Sequence, residues 1–402
     1  MTGPIIINNM TNIKNIGVFF GGKSPEHEIS IITGQLIISE LKKNPDYRII
    51  PVYIDKQERF FIDDSLGQLS FFSDDGYEKK ISALPSYDLS LKESINKLVF
   101  KSGKIFPKRI EIDLAFPAFH GNLGEDGSMQ GLFNIFNIPY VGCDVPASAI
   151  SMDKTLTKIF YQGLGIKTTK FLSYNLSDWT DRSKIILKEI ESDLKWPVFV
   201  KPPHLGSSIG ITKVKKIEDL NNAIEVALHY DNKVIVEESV ENLMDITCAV
   251  IGHKEPLASL IQESSCSEMF SYDDKYLDDG GAQLGRADSK IFIPARLDEQ
   301  VSKEIQETSK KIFKALGCSG ISRFDFLYNK ETKEFFANEI NPMPGTLYHH
   351  LWQKSGIEIA NLIKLLINSA LEKQQEKDKI IFSFSSPVLS NLKNSKLKFN
   401  KF

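Results

Sequence analysis

The sequence predicts a mixed fold: an α/β unit built on a parallel sheet, followed by two α+β units. Three observations carry this expectation. In the first part of the chain, β-rich runs ending in glycine turns alternate with stretches of helical periodicity, the pattern of parallel strands joined by crossover helices. After about residue 147 the β-runs shorten and flank a Gly/Ser loop, and after about residue 237 a long amphipathic stretch precedes a closely spaced pair of β-runs. With 402 residues, 42% of them hydrophobic, the chain also exceeds what one ordinary domain holds. The expected units are 1–147, 148–237 and 238–402.

Each element follows in order. IGVFF (16–20) runs into Gly21-Gly22 and then into SPEHEISIITGQLIISELKK, whose apolar residues recur at helical spacing. YRIIPVYID (47–55) is the next strand, and IDLAFPAFHG (112–121) is a third that ends in a glycine loop before the helix SMQGLFNIF. The stretch between, about 58–108, is polar and irregular and reads as an insertion of short strands or a hairpin. In the second unit VFVKPPHLGSSIGI is a pair of β-runs around a glycine loop, IEDLNNAIEVALHY is a helix, and KVIVEESV is a further strand. The third contains DITCAVIG, a polar glycine-rich loop (264–290), IFIPARL, an amphipathic helix ending at Leu316, and the pair ISRFDFLYN and FFANEIN. A lysine-rich tail begins at about 373 and is assigned no function.

Composition excludes several classes. Lys plus Arg number 49 and Asp plus Glu 52, a net charge of -3, so no polyanion-binding surface is indicated and nucleic acid is not an expected partner. The four cysteines (Cys143, Cys248, Cys266, Cys318) are scattered without CxxC spacing, which argues against a disulfide framework or structural zinc and for a reducing compartment. No run reaches the roughly 18 apolar residues of a membrane span, and the N-terminus carries no secretion signal, so a soluble cytoplasmic protein is expected.

Gly17 to Ser24 satisfies the phosphate-loop pattern GxxxxGK[ST] letter for letter. Its context argues against that reading. Val18, Phe19 and Phe20 are strand residues, whereas the cradle needs a loop whose successive N–H groups face the phosphates, and Glu26 and Glu28 would repel a triphosphate.

Other segments carry the chemistry. His120-Gly-Asn-Leu-Gly-Glu-Asp-Gly127 follows a strand and precedes a helix, where an open α/β sheet places ligands; alone it is equally a capped turn. Lys154 opens another helix, and a single lysine there proves nothing. In the glycine hairpin, Lys201 supplies a point charge, Gly206 and Gly210 allow close backbone approach, and hydroxyls and N–H groups can donate to phosphate oxygens. The strand 234–240 ends in Glu237 and Glu238 and offers an edge to a purine, with Asp245 placed to hold ribose hydroxyls or merely to sit in water. Period-two alternation puts Arg323 and Asp325 on one sheet face, and likewise Glu339 and Asn341. Asp, Glu and Asn together form a hard-oxygen set suited to Mg²⁺, and Arg323 beside them suits a phosphoryl group or an oxyanion; a structural ion-pair cluster would look the same.

The order of these motifs resembles the ATP-grasp ligases, and within them the D-alanine:D-alanine ligases. GGKSPEHEIS, HGNLGEDGSMQGLF, IPYVGCDVPASAISMDKTLTK, VFVKPPHLGSSIGI, VIVEES, SYDDKYL, ISRFDF and NEINPMPG carry the likeness, over about residues 16–351. The resemblance implies a three-domain ATP-grasp fold with a Rossmann-like N-terminal domain. It also implies ATP-dependent joining of two D-alanine molecules for peptidoglycan precursors, with ATP and two Mg²⁺ (or Mn²⁺) and a homodimer.

By the same resemblance Lys154, Lys201, Ser207 and Ser208 would contact ATP phosphates, Glu237 the adenine amino group with Glu238 and Val240 beside it, and Asp245 the ribose. Asp325, Glu339 and Asn341 would hold the metal ions. Glu26 and His120 would hold the first D-alanine. Ser207 and Tyr276 would form with Glu26 a hydrogen-bonded triad that closes the 264–290 loop as a lid. Lys275 and His350 would meet substrate, and Arg323 with the Gly345 N–H would stabilise the tetrahedral oxyanion. His350 stands where many relatives place a serine for the second substrate's carboxylate, and Asp245 where they have glutamate. Retention of Tyr276 favours an amino acid over a hydroxy acid. The alternatives are a ligase joining D-alanine to a different small amino acid and a non-catalytic nucleotide-binding regulator on the same scaffold.

Overall fold

In the computed structural model, residues 13–74, 76–103, 108–264 and 291–386 are described. Three sheets follow one another along the chain.

The first has seven strands, ordered β6-β5-β4-β3-β2-β1-β7. These are β1 (Asn15–Gly21), β2 (Arg48–Ile54), β3 (Phe60–Ile62), β4 (Ser86–Leu89), β5 (Leu98–Ser102), β6 (Lys108–Ile112) and β7 (Leu114–Pro117). The expected parallel core is present, with β2 and β7 both parallel to β1. The polar 58–108 stretch forms short strands, as expected, and these extend the same sheet antiparallel from β2 outward. The sheet is therefore mixed. Helix α1 (His27–Leu41) crosses from β1 to β2, and short helices α2 (Leu69–Phe72) and α3 (Tyr77–Ser82) lie within the added stretch. Val18, Phe19 and Phe20 are fully buried on β1, so the literal phosphate-loop match is strand, as its context indicated.

After α4 (Ser128–Ile135), α5 (Val145–Met152) and α6 (Lys154–Gly163) comes a four-stranded sheet ordered β10-β9-β11-β8. Its members are β8 (Phe171–Asn175), β9 (Val198–Lys201), β10 (Thr212–Val214) and β11 (Lys233–Glu238), backed by α7 (Leu176–Asp193) and α8 (Leu220–Tyr230). Strands β9 and β10 pair antiparallel around residues 202–211, so the glycine segment is a hairpin, as its composition predicts.

The last sheet, ordered β14-β13-β12-β15-β16, joins β12 (Leu243–Gly252), β13 (Leu257–Ser264), β14 (Ile291–Phe292), β15 (Gly320–Asn329) and β16 (Phe335–Asn341). Helix α9 (Glu299–Leu316) packs on it, and α10 (His349–Lys354) and α11 (Ile359–Lys377) follow. Asp245 lies on β12, in a strand rather than a loop.

Core packing ties the sheets unequally. Val18 and Phe20 of β1 share one apolar cluster with Ala249 and Ile321 of the last sheet and with Trp352 and Leu366. The four-stranded sheet keeps a core of its own, built on Val198, Val200, Ile224 and Val236. Helix α6 sides with the last sheet, its Tyr161 packing with Ile246 and Phe324. The segments after β1 and β7, the glycine hairpin, Arg323 of β15 and the end of β16 meet at one cleft.

Candidate active site

The cleft draws its walls from segments attached to all three sheets. Glu26, His120, Lys154, Ser207, Arg323, Glu339, Asn341 and Gly345 all line it. Eight positions singled out in the sequence, from 26 to 345, thus reach one cavity.

The hairpin closes one side. Ser207 Oγ donates to Glu26 Oε1, linking the loop tip to the N-cap of α1. The approach is so close that a Cβ at Gly206 would sit 2.9 Å from the Glu26 carboxylate. Ser207 and Ser208 both adopt positive φ (53° and 61°), which sharpens the turn. At its base, Lys154 Nζ donates to Leu205 O at 2.7 Å and lies 3.7 Å from Glu339. His204 is held between Asp231 (2.9 Å) and Asp153 (3.3 Å), and these two carboxylates raise its pKa to about 9.

On the floor, β15 and β16 pair so that Asp325 faces Glu339 and Arg323 faces Asn341. Arg323 donates to both oxygens of Asp325 (3.0, 3.0 and 2.7 Å) and lies 3.9 Å from Glu339. Thr247, opposite Asp325 on β12, donates to it at 2.9 Å, and Asn341 Nδ2 does so at 3.2 Å. Burial, and then the neighbouring Glu339, raise the Asp325 carboxyl even against Arg323. Two carboxylates and an amide oxygen are a hard donor set that fits Mg²⁺ or Mn²⁺ rather than zinc. Among the described residues no group of three or more His, Cys, Asp and Glu forms a metal cluster, because here the third donor is an asparagine.

The opposite wall holds two buried titratable groups in unusual states. Burial lowers His120 to about 4 and raises Glu125 to about 8, so at neutral pH both are uncharged. Both grip Met343, His120 through a backbone hydrogen bond and Glu125 through another, while Glu125 Oε2 also accepts from Gly121 N at 2.6 Å. Thr33 Oγ1 accepts from Thr346 N at 3.0 Å and meets His120 Nε2 at 2.8 Å. Thr346, Leu347 and Tyr348 follow Gly345 with φ of 48°, 55° and 50°, a left-handed turn.

Some sequence-predicted residues sit apart. The Glu237 carboxylate is sealed between Lys201 and Lys158 (2.8 Å), which overcome burial and pull its pKa down to about 2. Glu238 accepts from Lys195 N at 3.0 Å, and Val240 and Asp245 are half-buried. His350 follows the left-handed turn, hydrogen-bonded to Gln262 Oε1 at 2.8 Å, its ring tilted against that of Tyr348 with centres 4.8 Å apart, and is lowered by burial to about 4. Lys275, Tyr276 and the glycines of the expected lid fall outside the described residues. The sequence reading passed over Lys158, Thr33, Thr247 and the role of Glu125. Lys158 stood four residues beyond Lys154, on the same helical face, and Thr247 on an alternating strand; Thr33 gave no signal.

A Rossmann-like sheet, a glycine hairpin on a small antiparallel sheet and an acid pair on a third sheet together are the arrangement of the ATP-grasp fold. Family models described as D-ala D-ala ligase N-terminus and D-ala D-ala ligase C-terminus match residues 15–143 and 160–368. A D-alanine--D-alanine ligase of Thermosipho melanesiensis is 40% identical over 377 residues, 93% of this chain and 98% of that protein. The VanG D-Ala:D-Ser ligase structure from Enterococcus faecalis matches with TM-score 0.75 and 32% identity, over 89% of this chain and 99% of its own. The D-alanine-D-alanine ligase structure from Coxiella burnetii matches with TM-score 0.74 and 29% identity, over 91% and 96%. The chain belongs to the D-alanine–D-alanine ligase family.

No helix among the described residues is long and apolar enough to cross a membrane.

Proposed function

We propose that the protein joins two D-alanine molecules to D-alanyl-D-alanine at the expense of ATP, in the cytoplasm, for cell-wall precursor synthesis. The observation that carries this is the convergence of Glu26, His120, Ser207, Arg323, Glu339 and Gly345 on one cleft of a chain from this family.

The chemistry follows from the residues. A carboxylate is a poor electrophile, so the γ-phosphoryl of ATP is first transferred to that of the first D-alanine. Glu26 pairs with that molecule's ammonium, and His120, uncharged, orients it without repelling it. Lys154 and Lys201 draw the phosphates towards the hairpin, whose N–H groups and Ser207 and Ser208 hydroxyls donate to them. Asp325, Glu339 and Asn341 would hold two divalent cations, which supply charge neutralisation to the triphosphate. The amine of the second D-alanine attacks the acyl phosphate, Arg323 with the Gly345 N–H stabilises the oxyanion of the tetrahedral intermediate, and its collapse breaks the C–O bond to release inorganic phosphate as the amine loses a proton. Tyr276 and Lys275 on the 264–290 segment are proposed to close the cleft and exclude water, which would otherwise hydrolyse the acyl phosphate.

A second reading concerns the second substrate. His350 in place of the usual serine, with likeness to a D-Ala:D-Ser ligase, supports D-alanine joined to another small D-amino acid. Mass detection of the dipeptide formed from D-alanine paired with each candidate separates the two. A purely regulatory nucleotide binder would release no ADP at all.

A further inference from the structure

Lys158 is an unusual residue for its place: a lysine 1% exposed, midway along α6. Its ammonium has three partners, Thr169 Oγ1 at 2.8 Å, Thr168 Oγ1 at 3.0 Å and Glu237 Oε2 at 2.8 Å, so each of its protons is used. The other Glu237 oxygen is taken by Lys201. By direct contact the cluster joins two lysines to one carboxylate, with Glu339 also acting on Lys158 from farther away.

The two lysines are not equivalent. The side chain of Lys201 is 11% exposed, at the end of β9 where the glycine hairpin begins, whereas that of Lys158 is 2% exposed and tied to two hydroxyls. An incoming triphosphate can draw Lys201 towards itself, but it cannot reach Lys158. We propose that Lys158 is a positioning residue, the permanent counter-ion of Glu237, which frees Lys201 to leave that carboxylate for the nucleotide phosphates.

Without Lys158, Glu237 would be a buried carboxylate with Lys201 as its one remaining cation. It would then hold Lys201 back, because separating the last partner from a buried charge leaves that charge uncompensated. Glu237 acts in this account as a balance between a fixed cation and a movable one, and it stays ionised and aimed throughout the binding cycle. The inference rests on the reading of Lys201 as a phosphate ligand.

The test is steady-state kinetics on the full chain with separate variation of ATP and D-alanine. Lys158→Met should raise the KM for ATP about tenfold or more, with the KM for D-alanine within about twofold of wild type. Lys158→Arg, which keeps the charge, should restore most of the ATP affinity. Loss of folded protein alone would lower kcat for all substrates and leave both KM values in place. Lys158→Gln, able to bond the same threonines, serves if the methionine variant is insoluble, and the same rise is expected.

In a Glu237→Gln background, where no carboxylate restrains Lys201, adding Lys158→Met should change the KM for ATP by less than about twofold. A folded Lys158→Met or Lys158→Gln protein with an unaltered KM for ATP would overturn the proposal, as would an undiminished effect in the Glu237→Gln background. Lys201→Met reports separately on the underlying reading: an unchanged KM for ATP there removes Lys201 from the nucleotide site, whatever Lys158 does.

Discussion

The hydroxyl of Ser207 at the tip of the glycine hairpin donates to the carboxylate of Glu26 at the start of α1, joining residues 181 positions apart. The contact couples the loop proposed to cover phosphate to the acid proposed to hold the first substrate. Both side chains are buried, so the bond is made away from competing water. Hydrogen bonds to charged groups contribute about 1.5–3 kcal/mol. Ser207→Ala should therefore lower kcat/KM for D-alanine by about 10- to 100-fold. Initial-rate measurements decide, and a ratio unchanged from wild type removes the coupling.

Arg323 is fully enclosed by Asp325, Glu339 and the Tyr348 ring. Removing one oxyanion donor typically costs about 10²–10³ in kcat. Because Arg323→Ala would also strand Asp325, with a loss of about 3–5 kcal/mol of stability, Arg323→Lys is the cleaner variant. It should fold and still lose most of the dipeptide-forming rate, measured by product formation in a single turnover. A lysine variant working at the wild-type rate would exclude a fork-shaped donor at this position.

Glu125 gives a pH dependence of defined sign. Its folded pKa of about 8 lies above the ordinary carboxyl value near 4.3, so the native state retains a proton that the unfolded chain releases. The stability contributed by Glu125 is complete below the unfolded value and is lost as pH rises through about 8. Thermal melts between pH 5 and 9 should show the wild-type Tm falling on the alkaline side, and Glu125→Gln, neutral throughout, should fall less. Parallel curves for the two proteins would show that Glu125 is ionised in the native state.

Thr33 holds the left-handed turn after Gly345 and the His120 ring at once. Thr33→Val keeps the shape but leaves the Thr346 N–H without its hydroxyl acceptor. The expected loss is about 1–3 kcal/mol in denaturant unfolding. The D-alanine KM should also rise. Thr33→Ser should recover both, and a valine variant as stable as wild type would make the hydroxyl dispensable.

Much of this was legible in the sequence, for identifiable reasons. Strands β1, β2 and β7 announce themselves by continuous apolar runs, and the hairpin at 202–211 by glycines between two β-runs. Alternation alone placed Arg323 with Asp325 and Glu339 with Asn341, and the register between β15 and β16 brings the two pairs face to face. Short strands were expected between β2 and β7, but their order and their place in the same sheet were hidden because strands of three to five residues are too short to show a period. Thr33 was hidden because its value lies in partners 87 and 313 residues away, which no local pattern reports. Lys158 gave no sign of a role, since lysine is almost never buried unless paired, and the sequence alone does not show its pairing with Glu237.

The central claim is tested most directly by ADP release from the full-length protein with ATP and paired amino acids, with mass detection of the product. The account predicts release that requires both Mg²⁺ and D-alanine, accompanied by a D-alanyl dipeptide. Equal release with L-alanine, or none with any D-amino acid, would contradict it.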